Sequence, residues 1–252
     1  MANPIVYGGV GSPQSVFDTT TTQYHNIGTR GHLDDRVFYY TRINGTAIGP
    51  NLLAQQAVPV ANHVTETGTL TGFTAGSKSF TAVLGATAST ANQYESGYFK
   101  IQSSTLGPGQ LVKLNKHGAV ASAGTATFST PDTIVTTPTG TVTWSLFRNP
   151  WADPIVTPIT TQTGINVGVP LVSTGTGTDA DPRYCWMQTW GVCSVLGDTT
   201  NTVVGSGVLG QSATAGAVAL ELATTITQRP GVAMETLATD DVYQLVFLQI
   251  AP

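Results

Sequence analysis

Short runs of alternating apolar and polar residues, separated by glycine, proline and asparagine, fill most of this chain of 252 residues. From Thr141 to Phe147, the side chains of Val142, Trp144 and Leu146 lie on one side of an extended strand, and threonine and serine occupy the other. Similar strands are predicted at 79–84, 98–102, 110–114 and 125–129. The pattern predicts an all-β fold made of small barrel or sandwich domains.

The run from Val242 to Ile250 differs from the others because both of its faces are apolar. One face carries Tyr243, Leu245 and Phe247, and the other carries Val246, Leu248 and Ile250. A strand that is apolar on both faces is typical of the centre of a layered structure. We therefore predict a C-terminal core strand that is either central in its sheet or sandwiched at an interface.

Two local signals predict a hairpin and a helix near the N-terminal end. The run from Arg36 to Arg42 leads into Asn44-Gly45, a dipeptide that favours tight hairpin turns because both residues accept positive φ. Pro50 to Ala57 has a proline at its start and Pro59 after its end, as short helices often do. We expect a hairpin at Asn44-Gly45 and one short helix at 50–57.

Two proline clusters, at 58–63 and 149–154, mark the boundaries of the middle part of the chain. We predict an extended N-terminal arm at 1–31, and a hairpin with a short helix at 32–62 that packs with the C-terminal domain. An inserted middle β domain is expected at 63–150 and a C-terminal β domain at 151–252. The arm is too polar and rich in glycine to fold alone, so it is expected to wrap a neighbour or add a strand to an exposed sheet edge.

Charged side chains are scarce. Asp, Glu, Lys and Arg make up 10% of the residues, whereas about 25% is usual. A chain with so little charged surface is expected to lie largely against other protein molecules. The ten scattered Lys and Arg residues and the net charge of −4 offer no electrostatic footprint for nucleic acid or an anionic membrane, so neither is expected as a partner.

The histidine, cysteine and carboxylate residues predict no catalytic residue, metal ligand or cofactor. The histidines, which are His25, His32, His63 and His117, fall in four unrelated contexts without the spacing of metal ligands. Cys185 and Cys193 are interpreted as buried thiols, with a disulfide across a hairpin left open.

Three aspartate pairs are interpreted as turn residues. They are Asp34-Asp35, Asp179 with Asp181, and Asp240-Asp241. Aspartate is favoured in turns because its side chain bonds to nearby backbone. Calcium at Asp179 and Asp181, or a glycosidase pair, stays open as an alternative.

Several segments together resemble a known class of virion proteins. Residues 11–22 and 28–40 resemble the opening of small structural proteins that are found beside major capsid protein genes in tailed bacteriophages. Residues 184–191, 214–217, 231–234 and 243–250 are similar to the last β domain of phage head decoration, or cement, proteins. The resemblance implies a β-rich, commonly trimeric protein, made in the host cytoplasm, that binds the major capsid protein on the outside of an icosahedral head.

The resemblance makes an interface with capsid or sister subunits the expected functional site. The candidate interface residues are Phe17, Arg30, Asp34, Asp35, Arg36, Arg42 and Trp151. For the charged residues in this set, the alternative interpretation is that they are solvated side chains in turns.

Two other functions are kept as alternatives. One is a head-fibre or tail adhesin that binds host glycans through the middle domain. The other is a depolymerase, which requires a convergent carboxylate pair that the spacing does not show.

Overall fold

The structure is a computed structural model that describes residues 2–6, 9–159, 162–198, 203–210, 212–220, 228–236 and 241–252. It divides the chain into two compact units. The discontinuous unit contains Met1–Ala57 and Pro150–Pro252, and the inserted unit contains Val58–Asn149. The inserted unit therefore begins five residues before the expected position 63 and ends at Asn149 rather than at 150.

The secondary structure is almost entirely β, which confirms the predicted fold class. In chain order the strands are β1 (Ile5–Val6), β2 (Val10–Gly11), β3 (Arg30–Leu33), β4 (Arg36–Ile43), β5 (Ala54–Gln55), β6 (Glu66–Thr67), β7 (Leu70–Thr71), β8 (Ser79–Val83), β9 (Tyr98–Ser103), β10 (Leu111–Lys113), β11 (Thr125–Ser129), β12 (Thr143–Phe147), β13 (Ile155–Val156), β14 (Asn166–Pro170), β15 (Arg183–Gly197), β16 (Gly207–Leu209), β17 (Ala219–Leu220), β18 (Gly231–Ala233) and β19 (Val242–Gln249). A 3-10 turn covers Ala61–His63. The described strands form open antiparallel sheets and no closed barrel, so the sandwich form of the prediction is the correct one.

The discontinuous unit is organised around β15, the longest strand. The strand order of its main sheet is β17-β16-β18-β19-β15-β4-β3-β1-β2, with β5, β13 and β14 attached beside this path. β15 pairs with β4 along Arg183–Trp190 and with β19 along Trp190–Gly197. Segments from both ends of the chain therefore share one sheet.

A β-bulge marks the point where β15 passes from one partner to the other. The register with β4 shifts between Gln188 and Trp190, and Gly191 follows with a φ of +89°. A Cβ at position 191 would lie 2.9 Å from the backbone oxygen of Asp35. Only glycine fits both this close approach and the positive φ.

The core of the discontinuous unit consists of three clusters of buried side chains. The first is centred on Val195, Val246 and Leu248, the second on Ile43, Val167 and Met187, and the third on Phe38, Tyr40 and Trp186. Each contains side chains of β15. Burial of these residues supplies the main favourable free energy of folding for this unit.

The inserted unit is a sandwich of two sheets with its own core. The strand orders are β10-β9-β12-β6 and β11-β8-β7. Aromatic rings fill the space between them: the ring of Phe80 lies 4.7 Å from that of Phe99 and 4.8 Å from that of Phe73, measured between centroids. Trp144 stacks on Phe99 at 5.2 Å. The predicted strands at 98–102 and 110–114 do form an antiparallel pair.

The helix predicted at 50–57 is wrong. Asn51 has a φ of +62°, and Ala54 pairs with Val156 on one side and Gly168 on the other. Leu53 and Gln55 are buried as well. The local sequence favours a helix, but the backbone hydrogen bonds to two other strands and burial on both sides override that propensity.

The hairpin predicted at Asn44-Gly45 is also wrong. β4 pairs instead with β3, and the two-residue connection is Asp34-Asp35, since Leu33 faces Arg36 across the turn. Asp34 has a φ of +53°, which aspartate tolerates better than most residues. The turn interpretation of Asp34-Asp35 is therefore confirmed, whereas Asn44 lies in a loop and donates to Asp179.

The N-terminal arm does not extend away from the chain. Val16 and Ile27 are fully buried, and the side-chain amide of Gln14 donates to the backbone oxygen of Tyr184 at 2.8 Å. Thr20 forms a bridge with the same tyrosine. The described part of 1–31 folds onto the chain's own sheet, where β1 adds a strand beside β3. The structure therefore shows the addition of a strand to a sheet edge, and the wrapping of a neighbour stays a prediction.

We expect a fragment of residues 58–149 to fold by itself, because the inserted unit has a complete aromatic core. Trp144 is the one tryptophan of the four that this fragment retains, and it is fully buried. Its fluorescence should be blue-shifted and should move to the red in one cooperative thermal transition. A red-shifted emission at all temperatures would contradict this prediction.

Candidate protein interface

Arg42 is not at the surface, contrary to its prediction as an interface residue. Its side chain is 3% exposed and pairs with Asp153, whose side chain is 11% exposed. Nε and Nη2 of the arginine donate to the two carboxylate oxygens, both at 3.0 Å. This two-point geometry joins β4 to the segment after Trp151, so the role of Arg42 is structural.

Replacement of Asp153 by asparagine should destabilise the discontinuous unit. The change removes the carboxylate that pairs with the buried guanidinium of Arg42, and loss of one member of a buried ion pair typically costs about 3 kcal/mol of unfolding free energy. Chemical denaturation monitored by circular dichroism measures the effect. Asp181→Asn is the matched control, because Asp181 forms an exposed pair with Arg183 at 3.0 Å and should cost less than about 1 kcal/mol. Equal losses in both variants would contradict the structural role.

Arg30 and Trp151 meet at Tyr39, a residue that the prediction of site residues omitted. The rings of Tyr39 and Trp151 stack at 4.0 Å with an interplanar angle of 5°. Arg30 lies opposite Tyr39 across β3 and β4, and its Nε donates to the carbonyl oxygen of Pro252 at 3.0 Å. Arg30 is exposed and Trp151 is half-buried, so this cluster fixes the last residues of the chain and presents a cation beside them.

The other predicted interface residues lie elsewhere. Asp34 and Asp35 are exposed at the tip of the β3–β4 hairpin, and Arg36 follows them with its guanidinium 5.7 Å from the ring centroid of Phe38. Phe17 is 51% exposed and belongs to the N-terminal segment. The structure thus brings the hairpin-tip charges together, but it joins neither Phe17 nor Arg42 to them.

The most extensive candidate interface is a sheet face on β15, β18 and β19. We call it the outer sheet face. It consists of Trp190, Val192, Ser194 and Leu196 on β15, Val232 on β18, and Tyr243, Leu245, Phe247 and Gln249 on β19. Cross-strand pairs such as Val192 with Phe247 and Leu196 with Tyr243 place these side chains next to one another.

The outer sheet face is apolar but uncovered by the described part of the chain. Tyr243 is 54% and Leu245 is 41% exposed, whereas Val246 and Leu248 on the opposite face are fully buried. β19 is indeed central, between β15 and β18, as predicted. The sequence signal for the uncovered face was that both faces of β19 are apolar. The fold buries only one of these two faces.

Three of the four histidines have structural partners, and the fourth, His32, is exposed on β3. His63 and His117 flank Tyr94 in the inserted unit: His63 bonds to the tyrosine hydroxyl, and His117 Nε2 accepts from the backbone nitrogen of Tyr94 at 2.9 Å. His25 shares a hydrogen bond of 2.9 Å with Ser12 Oγ, and burial lowers the pKa of His25 below its usual value. These contacts fix side chains in the fold.

The carboxylates considered for calcium bond to other side chains. Oδ1 of Asp179 accepts from the amide of Asn44 at 2.8 Å, and Asp181 pairs with Arg183. Asp241 accepts from the hydroxyl of Thr214, and Asp240 lies outside the described residues. Within the described ranges no three His, Cys, Asp or Glu side chains converge as metal ligands do.

Cys185 and Cys193 are free, buried thiols. Cys185 packs beside Ile43 and Met187, and Cys193 packs beside Val195 and Val246. Burial raises the pKa of each thiol to about 12. The preferred interpretation of both cysteines is confirmed.

Both thiols should be inert in the native protein. Because the folded-state pKa is raised, the thiolate is absent until the pH approaches 12. Ellman's reagent at mildly alkaline pH should therefore label neither thiol before unfolding, and both in concentrated guanidinium chloride. Rapid labelling of the folded protein would contradict the burial of these side chains.

Among the described residues, no helix has the length and apolar character required to cross a membrane. Comparison with protein-family models, with curated proteins and with solved structures found no match to this chain.

Proposed function

We propose that this chain is a structural virion protein, a decoration or cement protein on the outside of an icosahedral phage head. It binds the major capsid protein and stabilises contacts between neighbouring capsid subunits, together with other copies of itself. The observation that carries the proposal is the uncovered apolar outer sheet face on a chain with only 10% charged residues. The resemblance of residues 11–22 and 28–40 and of the C-terminal strands to such proteins supplies the capsid as the partner.

A binding protein of this kind stabilises the head by mass action. A capsid shell expands as it matures, and the proposed protein binds only the expanded form. Its binding free energy therefore shifts the equilibrium between the two forms toward the expanded one. Many weak contacts suffice, because the contribution is repeated at every copy around the lattice. The role requires no catalytic group.

The exposed hairpin tip is the first candidate for the contact with the capsid. Asp34, Asp35 and Arg36 are consecutive charges on a tight turn held by β3 and β4. Because the hairpin is anchored in the main sheet, the turn presents its charges in a fixed geometry, which favours specific recognition. Arg30 lies further along the same strand pair, opposite Tyr39, and the ring of Trp151 stacks on that of Tyr39.

A threonine-lined cavity in the inserted unit favours the adhesin alternative. It has a volume of about 440 Å³. Its lining includes Thr67, Thr69 and Thr74 on one side and Thr137, Thr139 and Thr141 on the other. Hydroxyl groups can bond to sugars, but Phe73 in this lining is only 2% exposed and offers no ring for stacking. The capsid role is therefore the preferred proposal.

Purified virions test the proposal through copy number and DNA retention. The protein should be present in numbers comparable to the major capsid subunit, and particles stripped of it should release DNA at a lower temperature. Arg36→Ala should weaken rebinding to stripped particles about tenfold, a typical loss for one interface charge. Lys100→Ala, on an exposed position of the inserted unit, is the control.

Two results would contradict the decoration role. A copy number far below that of the capsid subunit, with binding to host glycans, favours the adhesin. Absence of any binding to stripped particles removes the capsid as the partner.

A further inference from the structure

A cavity in the discontinuous unit lies where the start of β14, the segment before β18 and the end of β19 meet. Its volume is about 370 Å³. The polar part of its lining consists of Asn166, Gln228, Arg229 and Gln249. Among the described residues that line it there is no aspartate or glutamate. The charge of this lining is therefore positive, although the whole chain has a net charge of −4.

The carboxamide of Asn166 has a donor without an acceptor. Asn166 is 6% exposed, and its Oδ1 accepts from the side-chain amide of Gln162 at 2.9 Å. Its Nδ2 is buried and has no hydrogen-bond partner among the described residues. Buried polar groups in native proteins nearly always have a partner. This nitrogen therefore indicates an acceptor that a bound molecule supplies.

Neighbouring residues hold the carboxamide of Asn166 in place. Oε1 of Gln228 accepts from the backbone nitrogen of Asn166 at 2.7 Å, and Nε2 of Gln228 donates to the carbonyl oxygen of Gly164 at 2.8 Å. The carboxamide also packs against Gly210, where a Cβ would lie 2.6 Å from Nδ2. Because the donor is fixed before a ligand arrives, binding costs less conformational entropy.

We propose that this cavity binds a carboxylate group that is carried on a short apolar stem. The guanidinium of Arg229 and Nδ2 of Asn166 are donors, and an ionised carboxylate only accepts. A guanidinium has five N–H donors in a planar fork, so Arg229 can bind a carboxylate at two points and keep its other contacts. Ile165, which is 49% exposed, and Ile250 belong to the same lining and offer apolar surface to the stem.

Two sources can present this group, namely a free organic acid and an acidic side chain of a partner protein. Gln249 lines the cavity and also belongs to the outer sheet face. A partner that covers this face can therefore place an acidic side chain in the cavity at the same time. The chemistry of the site is the same for both sources and does not depend on the capsid role.

Titration of the full chain with butyrate, followed by nuclear magnetic resonance, tests the inference. Butyrate carries a carboxylate on a short apolar stem, and butyramide is the matched ligand of similar shape without the charge. Butyrate should shift the resonances of the Asn166 side-chain amide and the Ile165 methyl groups until they saturate. Butyramide should bind about tenfold more weakly, because hydrogen bonds to charged groups are the stronger ones.

Two variants separate the contribution of the cation from that of the amide. Arg229→Gln should weaken butyrate binding about tenfold and leave butyramide binding nearly unchanged. Gly210→Ala keeps the charge but places a methyl group against the Asn166 carboxamide, so it should weaken the binding of both ligands. Lys100→Gln removes an exposed cation from the inserted unit and is the control, with unchanged affinity. Circular dichroism should show all three variants folded.

A short neutral-ended peptide with a central glutamate distinguishes the two sources. Tighter binding of the peptide than of butyrate assigns the site to a partner protein, and equal or weaker binding assigns it to a free acid. The inference is overturned if neither ligand causes a saturable shift, if butyramide binds as tightly as butyrate, or if folded Arg229→Gln keeps full affinity for butyrate. Failure of the protein to bind stripped virions leaves each of these results unchanged.

Discussion

The pairing of β15 with two different strands is the constraint on which the rest of the discontinuous unit depends. One half of β15 holds β4, from the first part of the chain, and the other half holds β19, from the last part. Gly191 permits the change of partner, because a side chain there would collide with the backbone of Asp35. These contacts are far apart in sequence, so the unit is expected to fold slowly compared with one built from local contacts.

The register of β15 and β19 also creates the outer sheet face. Side chains alternate along a strand, so burial of Val195, Val246 and Leu248 forces their neighbours to the opposite side. The inserted unit shows what an ordinary exposed side looks like in this chain: β11 buries Ala126 and Phe128 and exposes Thr125 and Thr127. Threonine would meet the needs of the strand equally well on β19. The β conformation alone therefore does not require apolar side chains on this face of β19.

Sequence patterns predicted the strands well where a strand's own alternation determines its burial, as in Tyr98–Ser103 and Thr125–Ser129. They failed where distant strands decide the conformation. Ala54 belongs to a strand because Val156 and Gly168 pair with it, and no local signal shows those partners. The same holds for the predicted site residues. The turn at Asp34-Asp35 could be predicted from the chemistry of aspartate, whereas the burial of Arg42 could not, because it depends on the distant pairing with Asp153.

The scarcity of charge has different consequences inside and outside the fold. Inside, Arg42 and Asp153 bury two charges at 3.0 Å, and their value is geometric, since such pairs contribute little net stability but hold two segments in one register. Outside, the hydroxyls of threonine and serine keep the strands hydrated without repelling a neighbouring subunit. A surface of this kind can approach another protein molecule at low electrostatic cost. Charged side chains remain at separate places on the surface, among them the β3–β4 tip, Lys100 on β9 and the pair of Asp181 with Arg183.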